Sequence, residues 1–273
     1  MTLRFTKMHG AGNDFVVVDC RARPLGLDAA QIARIGDRHF GVGFDQLLTI
    51  ERASDGASAF AYGIYNQDGS PARQCGNGVR CIAAWLRRDG ALGVGATRLQ
   101  SPSGPIEVEV LADGRVRAAM GVPRFAPDDV PLRLPAADPY RLRVAGADVA
   151  FGAVSMGNPH AVIVVDDVVA APLATTGAAL SKDAHFAQGC NVGFAEVVDR
   201  GRVRLRVYER GVGETLACGT GACAATAVLQ RRGVVGPGVD VALPGGTLRI
   251  DWPGEGAPLT MTGPAEFVFE GET

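Results

Sequence analysis

Lysine is nearly missing from this chain: Lys7 and Lys182 are the only two. An enzyme built on pyridoxal phosphate needs a Schiff-base lysine. Neither lysine sits in a phosphate-binding setting, so that cofactor chemistry is not expected. Long apolar runs are missing too. The best candidate, HAVIVVDDVVAAPL, is broken by Asp166 and Asp167, and nothing approaches the ~18 apolar residues of a membrane span. The first residues, MTLRFTKMHGAGNDF, lack the apolar core of a signal peptide. Charge of one sign is also absent. A formal net charge of -2 provides no global field to gather nucleic acid or an anionic membrane. These absences predict a cytoplasmic protein with reduced thiols, in which the six cysteines are catalytic or buried rather than bridged.

The cysteine spacings exclude further classes. C-x5-C over 75–81 and C-x4-C over 218–223 fit neither structural zinc nor a thioredoxin-type motif. Glycine-rich strings occur around Gly211–Gly221, but not in the order of a Rossmann fingerprint. A metal, redox or nucleotide module is therefore the weaker reading, and no metal site is expected.

What is present is enough chain for about two domains, at 273 residues with 47% apolar content. Short β-branched runs recur between Gly, Pro and Asp turns: 15–19, 46–51, 105–111, 160–166, 191–198, 202–209, 239–243 and 247–252. PIEVEVL and RVRLRVYE alternate apolar with polar residues, the pattern of a strand with one wet face. Three segments predict helices. Residues 28–41 carry Asp28 as N-cap candidate and Gly41 near the end. The stretch from Gly78 to Gly90 sets Val79, Ile82, Ala83 and Leu86 on one face, and Gly221 to Gly233 behaves likewise. Both end in paired arginines and a glycine, which suits a helix C-terminus. The five prolines of 123–139 predict a loop or linker between halves.

The halves repeat each other. Tyr65, Cys75, Gly76, Gly78, Ala84, Leu86, Arg88 and Gly90 recur 143 positions later as Tyr208, Cys218, Gly219, Gly221, Ala227, Leu229, Arg231 and Gly233. Gly12-Asn13 recurs 145 positions later as Gly157-Asn158, and Gln46 aligns with Asn191 at that same offset. A duplicated unit folded as two similar domains accounts for the pattern. Two equivalent units facing each other would bring Cys75 and Cys218 to opposite sides of one ligand. Inverting a stereocentre needs that arrangement: a base removes a proton from one face and an acid returns one to the other.

The setting of each cysteine suits the task. CGNG and CGTG each open a predicted helix. The first turn of a helix has backbone N–H groups without intrahelical partners and a partial positive charge. A substrate carboxylate docks there, and glycines allow close approach. The same field favours thiolate, bringing one thiol nearer a useful general base. Cys20, Cys81, Cys190 and Cys223 lack this setting, and Cys81 and Cys223 fall inside the helices as packing residues.

KMHGAGNDFVVVD (7–19), YNQDGSPARQCGNGVRC (65–81), GNPHAV (157–162), GCNVGF (189–194) and YERGVGETLACGTGACA (208–224) closely resemble the diaminopimelate epimerase family. The resemblance spans nearly the whole chain. It implies conversion of LL-2,6-diaminopimelate to the meso form without a cofactor, serving lysine and peptidoglycan synthesis. It implies catalytic roles for Cys75 and Cys218, with His160 and Glu209 tuning their protonation. Asn13, Gln46, Asn66, Asn158, Asn191, Glu209 and Arg210 match substrate-contacting positions. Gly76-Asn77 and Gly219-Thr220 match the donors that hold the reacting carboxylate. The implied fold is α+β, two similar domains each with a curled, mostly antiparallel sheet around a central helix, with the active site in the cleft between them. The expected domains are 1–120 with 264–273, and 121–263. A homodimer is implied by the same resemblance. Proline, hydroxyproline and histidine racemases are the alternatives, with a related cysteine pair. Glu209 and Arg210 suit the second zwitterionic end of diaminopimelate and favour it over them.

Overall fold

The computed structural model describes residues 2–73 and 75–273. In chain order the elements begin with β1 (Arg4–Gly10), β2 (Asn13–Asp19), α1 (Ala29–Gly36), β3 (Gln46–Glu51) and β4 (Phe60–Asn66). There follow α2 (Gly76–Arg88), β5 (Gly95–Ser101), β6 (Gly104–Val110), β7 (Val116–Ala119), β8 (Tyr140–Val144), β9 (Ala147–Ser155) and β10 (Pro159–Val164). A π-turn at Leu173–Gly177 runs into the short α3 (Ala178–Ser181). The chain continues through β11 (Asn191–Asp199), β12 (Arg202–Glu209), β13 (Gly213–Thr215), α4 (Gly219–Arg231), β14 (Gly238–Leu243), β15 (Gly246–Asp251), β16 (Thr260–Gly263) and β17 (Glu266–Glu272). Contacts gather the chain into two compact units: Met1–Ala119 with Thr262–Thr273, and Met120–Met261.

In the first unit the strands pair in the order β17-β1-β2-β3-β4-β5-β6-β7. All neighbours are antiparallel except β2 with β3 and β4 with β5. α2 packs against β1, β2 and β3 and also against β6 and β7, so the sheet curls around it. In the second unit β8, β9 and β10 are successively antiparallel, β10 and β11 parallel, β11 and β12 antiparallel. β12 then pairs β14 in parallel, and β14 pairs β15 antiparallel. α4 packs against β9, β10, β11, β12, β14 and β15. The sheet again surrounds one helix.

The repeat read in the sequence is therefore a repeat of hydrogen-bond register. Phe15 stands opposite Gln46 and His160 opposite Asn191 at the start of the two parallel ladders. Leu47 faces Tyr65, and Val192 faces Tyr208. α2 and α4 bury almost their whole surface, including Val79, Ile82 and Leu86 in one and Ala222, Ala225 and Leu229 in the other. Such all-round burial holds the helix N-termini in place.

All eight strand-like runs are strands, and Cys75 and Cys218 are the N-cap residues of α2 and α4. Two expectations need correction. Asp28 caps α1 through a reciprocal box with Gln31, but the helix stops at Gly36 rather than near Gly41. Asp37 leaves helical geometry and its carboxylate accepts the amides of His39 and Phe40 at 2.7 and 2.8 Å, an Asx turn that competes with the helix. The proline-rich segment 123–139 is not a linker between units. It lies inside the second, bridging Arg124 to Ser155 and Leu132 to Phe186, with Val130 and Leu132 in that unit's core.

One close approach tests the packing of the second sheet on α4. A Cβ added at Gly152 on β9 would lie 2.4 Å from Val228 Cγ1. Gly152→Ala is expected to destabilise the protein by about 1–3 kcal/mol through overpacking. Val228→Ala in the same chain is expected to recover part of that loss in denaturant unfolding. A Gly152→Ala chain as stable as wild type would contradict the contact.

Candidate active site

In the first unit, parallel β2 and β3 and antiparallel β4 place Asn13, Gln46 and Asn66 at one end of the sheet. The β4 chain then turns back to Cys75. Cys75 has extended backbone geometry, and Gly78 N–H donates to its sulfur at 3.3 Å. A Cβ on Gly78 would press on Leu48 and on the Cys75 side chain, so the second glycine of the motif permits this close turn. The Cys75 thiol donates to Asn13 Oδ1 at 3.6 Å, and Asn77 Nδ2 donates to the same oxygen at 3.2 Å. Gln46 Nε2 donates to Asn66 Oδ1 at 3.1 Å. Gln46 Oε1 and Asn77 Oδ1 are buried acceptors with no partner among the described residues. Buried polar atoms are normally satisfied, and a polar ligand would complete these two.

The second unit repeats the constellation with different side chains. Asn158 precedes β10, Asn191 opens β11, Glu209 closes β12, and Cys218 caps α4. Thr220 Oγ1 lies 3.7 Å from Cys218 Sγ and accepts from Asn158 Nδ2 at 3.4 Å. Thr215 donates to Glu209 Oε1 at 2.6 Å, and Asn191 Oδ1 accepts the Arg210 amide at 2.9 Å. The Arg210 side chain is exposed and reaches the Gln188 carbonyl. A Cβ at Gly221 would lie 3.2 Å from Cys218 Sγ.

Burial decides the electrostatics here. It holds the Cys218 thiol well above the ordinary cysteine value, and the Glu209 carboxylate adds to the rise. The Thr220 hydroxyl and the Gly221 amide pull the other way without reversing it. Cys218 therefore rests as the thiol. Burial, and secondarily the Arg210 cation, pushes His160 down to about 3. The ring is neutral, and its Nε2–H donates to Asn158 Oδ1 at 3.1 Å. Cys20 and Cys81 are raised by burial to about 11 and about 12, as expected of packing residues.

The sequence reading missed a charge network behind Asn13. Lys7 on β1 donates to Asp14 at 2.5 Å and to the Gly43 carbonyl. Arg38 bridges Asp14 and Asp45, and Asp45 accepts Asn13 Nδ2 at 2.7 Å. Asp14 is held down to about 2: burial alone would raise it, but hydrogen bonds from Arg38 and Lys7 prevail. The available signal was one of the two lysines lying in an otherwise buried strand. Among the described residues no cluster of His, Cys, Asp and Glu is arranged to hold a metal ion. Nor is any helix among the described residues long and apolar enough to cross a membrane.

The fold is one found in solved structures of other proteins. A hydroxyproline epimerase from Agrobacterium vitis superposes with a TM-score of 0.70 at 16% identity, covering 100% of this chain and 92% of that one. A phenazine biosynthesis protein of the PhzF family from Bacillus anthracis superposes equally well at 16% identity, covering 100% and 99%. Those likenesses concern fold alone. In sequence, the family model for diaminopimelate epimerase matches residues 5–126 and 152–268. A diaminopimelate epimerase from Xanthomonas axonopodis pv. citri (strain 306) is 58% identical over 99% of this chain and 96% of its own length. One from Xylella fastidiosa (strain M12) is 51% identical over 98% and 95%. The chain belongs to the diaminopimelate epimerase family.

The buried neutral His160 has a thermodynamic signature. Its folded value lies below the unfolded 6.5, so its contribution to stability is complete above that pH. It is lost as pH falls from 6.5 toward 3, because the unfolded chain takes up the proton first. His160→Phe installs the residue found at the equivalent position, Phe15. Denaturant unfolding across the mildly acidic range is expected to show a shallower pH dependence in this variant. An unchanged slope would mean that His160 is not buried as the neutral ring.

Proposed function

We propose that this chain is a cofactor-independent isomerase that interconverts LL- and meso-2,6-diaminopimelate, with Cys75 and Cys218 as its acid–base pair. The activity rests on the family membership. The assignment of residues rests on one observation above all: two cysteines at duplicated positions each cap a buried helix, one bonded to Asn13 and the other reached by Asn158 through Thr220.

In one turnover a thiolate takes the α-proton, and the electron pair of the C–H bond moves onto the carbon and its carboxylate. The backbone N–H groups of Gly76-Asn77 or Gly219-Thr220 carry no intrahelical bond and face that developing charge, which they stabilise more in the transition state than in the ground state. The opposite thiol gives its proton to the other face of the carbon. The stereocentre is inverted and the two cysteines have exchanged protonation states. One proton is shared between two sulfurs, so the titration belongs to the pair.

The remaining residues suit the second amino-acid end of this substrate. Arg210 offers a cation for its carboxylate and Glu209 an anion for its ammonium, while Asn66, Asn158 and Asn191 serve either. Proline-type substrates have no such second end. A cytoplasmic homodimer serving lysine and peptidoglycan synthesis follows the same reading.

The decisive test is incubation of the reduced protein with LL-diaminopimelate in heavy water without added cofactor. Meso product carrying solvent deuterium at the α-carbon is expected from wild type. Cys75→Ala and Cys218→Ala are each expected to lose about 10²–10⁴-fold in rate, the usual contribution of general acid–base catalysis. Wild-type turnover in either folded variant would sink the two-thiol mechanism.

A further inference from the structure

Asn13 links the Cys75 thiol to the charge network of the first unit, and its orientation is fixed by chemistry. An asparagine amide presents an oxygen and an NH2 of nearly equal shape, so its other partners decide which end faces which way. One end lies 2.7 Å from Asp45 Oδ2. A carboxylate only accepts, so that end is the NH2. The carbonyl oxygen is thereby turned toward Cys75 Sγ at 3.6 Å and Asn77 Nδ2 at 3.2 Å. A carbonyl oxygen accepts a hydrogen bond from a thiol and repels a thiolate.

Asp45 is in turn held firmly for an exposed residue. Arg38 Nη2 donates to its Oδ1 at 2.8 Å, and the Asp14 amide to its Oδ2 at 3.1 Å. Its own amide donates to Asp14 Oδ1 at 3.1 Å. The second unit lacks this lock. There the equivalent Asn158 meets His160, whose ring nitrogens include both a donor and an acceptor, and turns its NH2 toward Thr220 beside Cys218.

We infer that Asp45 is a positioning residue for the reaction: it locks the Asn13 amide with its carbonyl toward Cys75 and so biases that sulfur toward the thiol between turnovers. This rests on reading Cys75 as one of the acid–base pair. The other titratable and charged groups around it are Arg80 and Cys81 on α2, Tyr62 on β4, and Lys7, Asp14 and Arg38 in the network. Tyr62 and Cys81 are both held up by burial and stay neutral around neutral pH.

The test follows Cys75 alkylation by iodoacetamide against pH on the full chain, with the modified peptide read by mass spectrometry. Asp45→Asn keeps the shape but lets the amide turn. It is expected to raise Cys75 alkylation at neutral pH about three- to tenfold, the thiolate gain for a fall of about half to one pKa unit. Asp45→Glu keeps an accept-only partner and is expected to leave the profile near wild type. Removing a negative charge would itself favour thiolate, so the cycle with Asn13→Ala decides. In that background Asp45→Asn is expected to change alkylation by less than about twofold, since distant charge effects persist there and orientation effects do not. An equal rise in both backgrounds, no rise from Asp45→Asn, or an Asp45→Glu profile like that of Asp45→Asn would each overturn the inference. The readout uses no substrate, so it fails separately from the epimerase activity.

Discussion

The N-terminus of a buried helix is the constraint from which the chemistry of each unit follows. A first turn leaves N–H groups that nothing inside the helix can satisfy, and water satisfies them in most proteins. Here the turn stands at the end of a sheet that curls around the helix, and strand ends deliver amide side chains to the same place. Had α2 or α4 kept one exposed face, as an ordinary amphipathic helix does, its end would be free to shift with solvent. Burial on nearly every side removes that freedom. Cys75 sits at the N-cap of α2 for a related reason: its backbone is extended, and its sulfur there takes an amide bond from the turn it opens.

Duplication supplied two such turns, and the copies differ in side chains rather than in fold. Register is kept, as are the paired glycines and the helix caps. What changes is the set of side chains aimed at each sulfur. Phe15 is replaced by His160, Asn66 by Glu209, Asn77 by Thr220 and Arg80 by Cys223. A fully buried arginine in one unit, where the other has Cys223, and an acid near Cys218, where the first unit has Asn66, give the two sulfurs different electrostatic surroundings. Packing alone would not demand that pattern, since both units enclose their helix equally well.

Much of this was legible because the informative residues are local. β-branched runs, glycine spacing and the 143- and 145-residue offsets marked eight strands and both central helices. The strands that escaped notice break the alternation rule for physical reasons. β1 is buried on successive residues and contains Thr6 and Lys7, which read as polar until Trp85 and Asp14 are seen to satisfy them. β8 and β9 follow directly on the proline-rich segment, and β9 carries Gly152, whose missing side chain makes room for Val228. The charge network escaped for a different reason. Lys7, Asp14, Arg38 and Asp45 come from three separated segments, and only the fold makes them neighbours.

A two-thiol mechanism asks for an unequal pair. Two identical cysteines in identical surroundings would share their one proton evenly, and half the resting molecules would hold it on the wrong sulfur for a given stereoisomer. The second unit already leans one way, since burial and Glu209 keep the proton on Cys218. The first unit has the Arg80 cation bonded to the Gly76 carbonyl next to Cys75, and the Asn13 carbonyl accepting from the Cys75 thiol. A substrate carboxylate docked on the α2 turn would repel the Cys75 thiolate, while a substrate ammonium would stabilise it. On the two-thiol reading, the balance is therefore drawn between groups the protein fixes and groups only the substrate supplies.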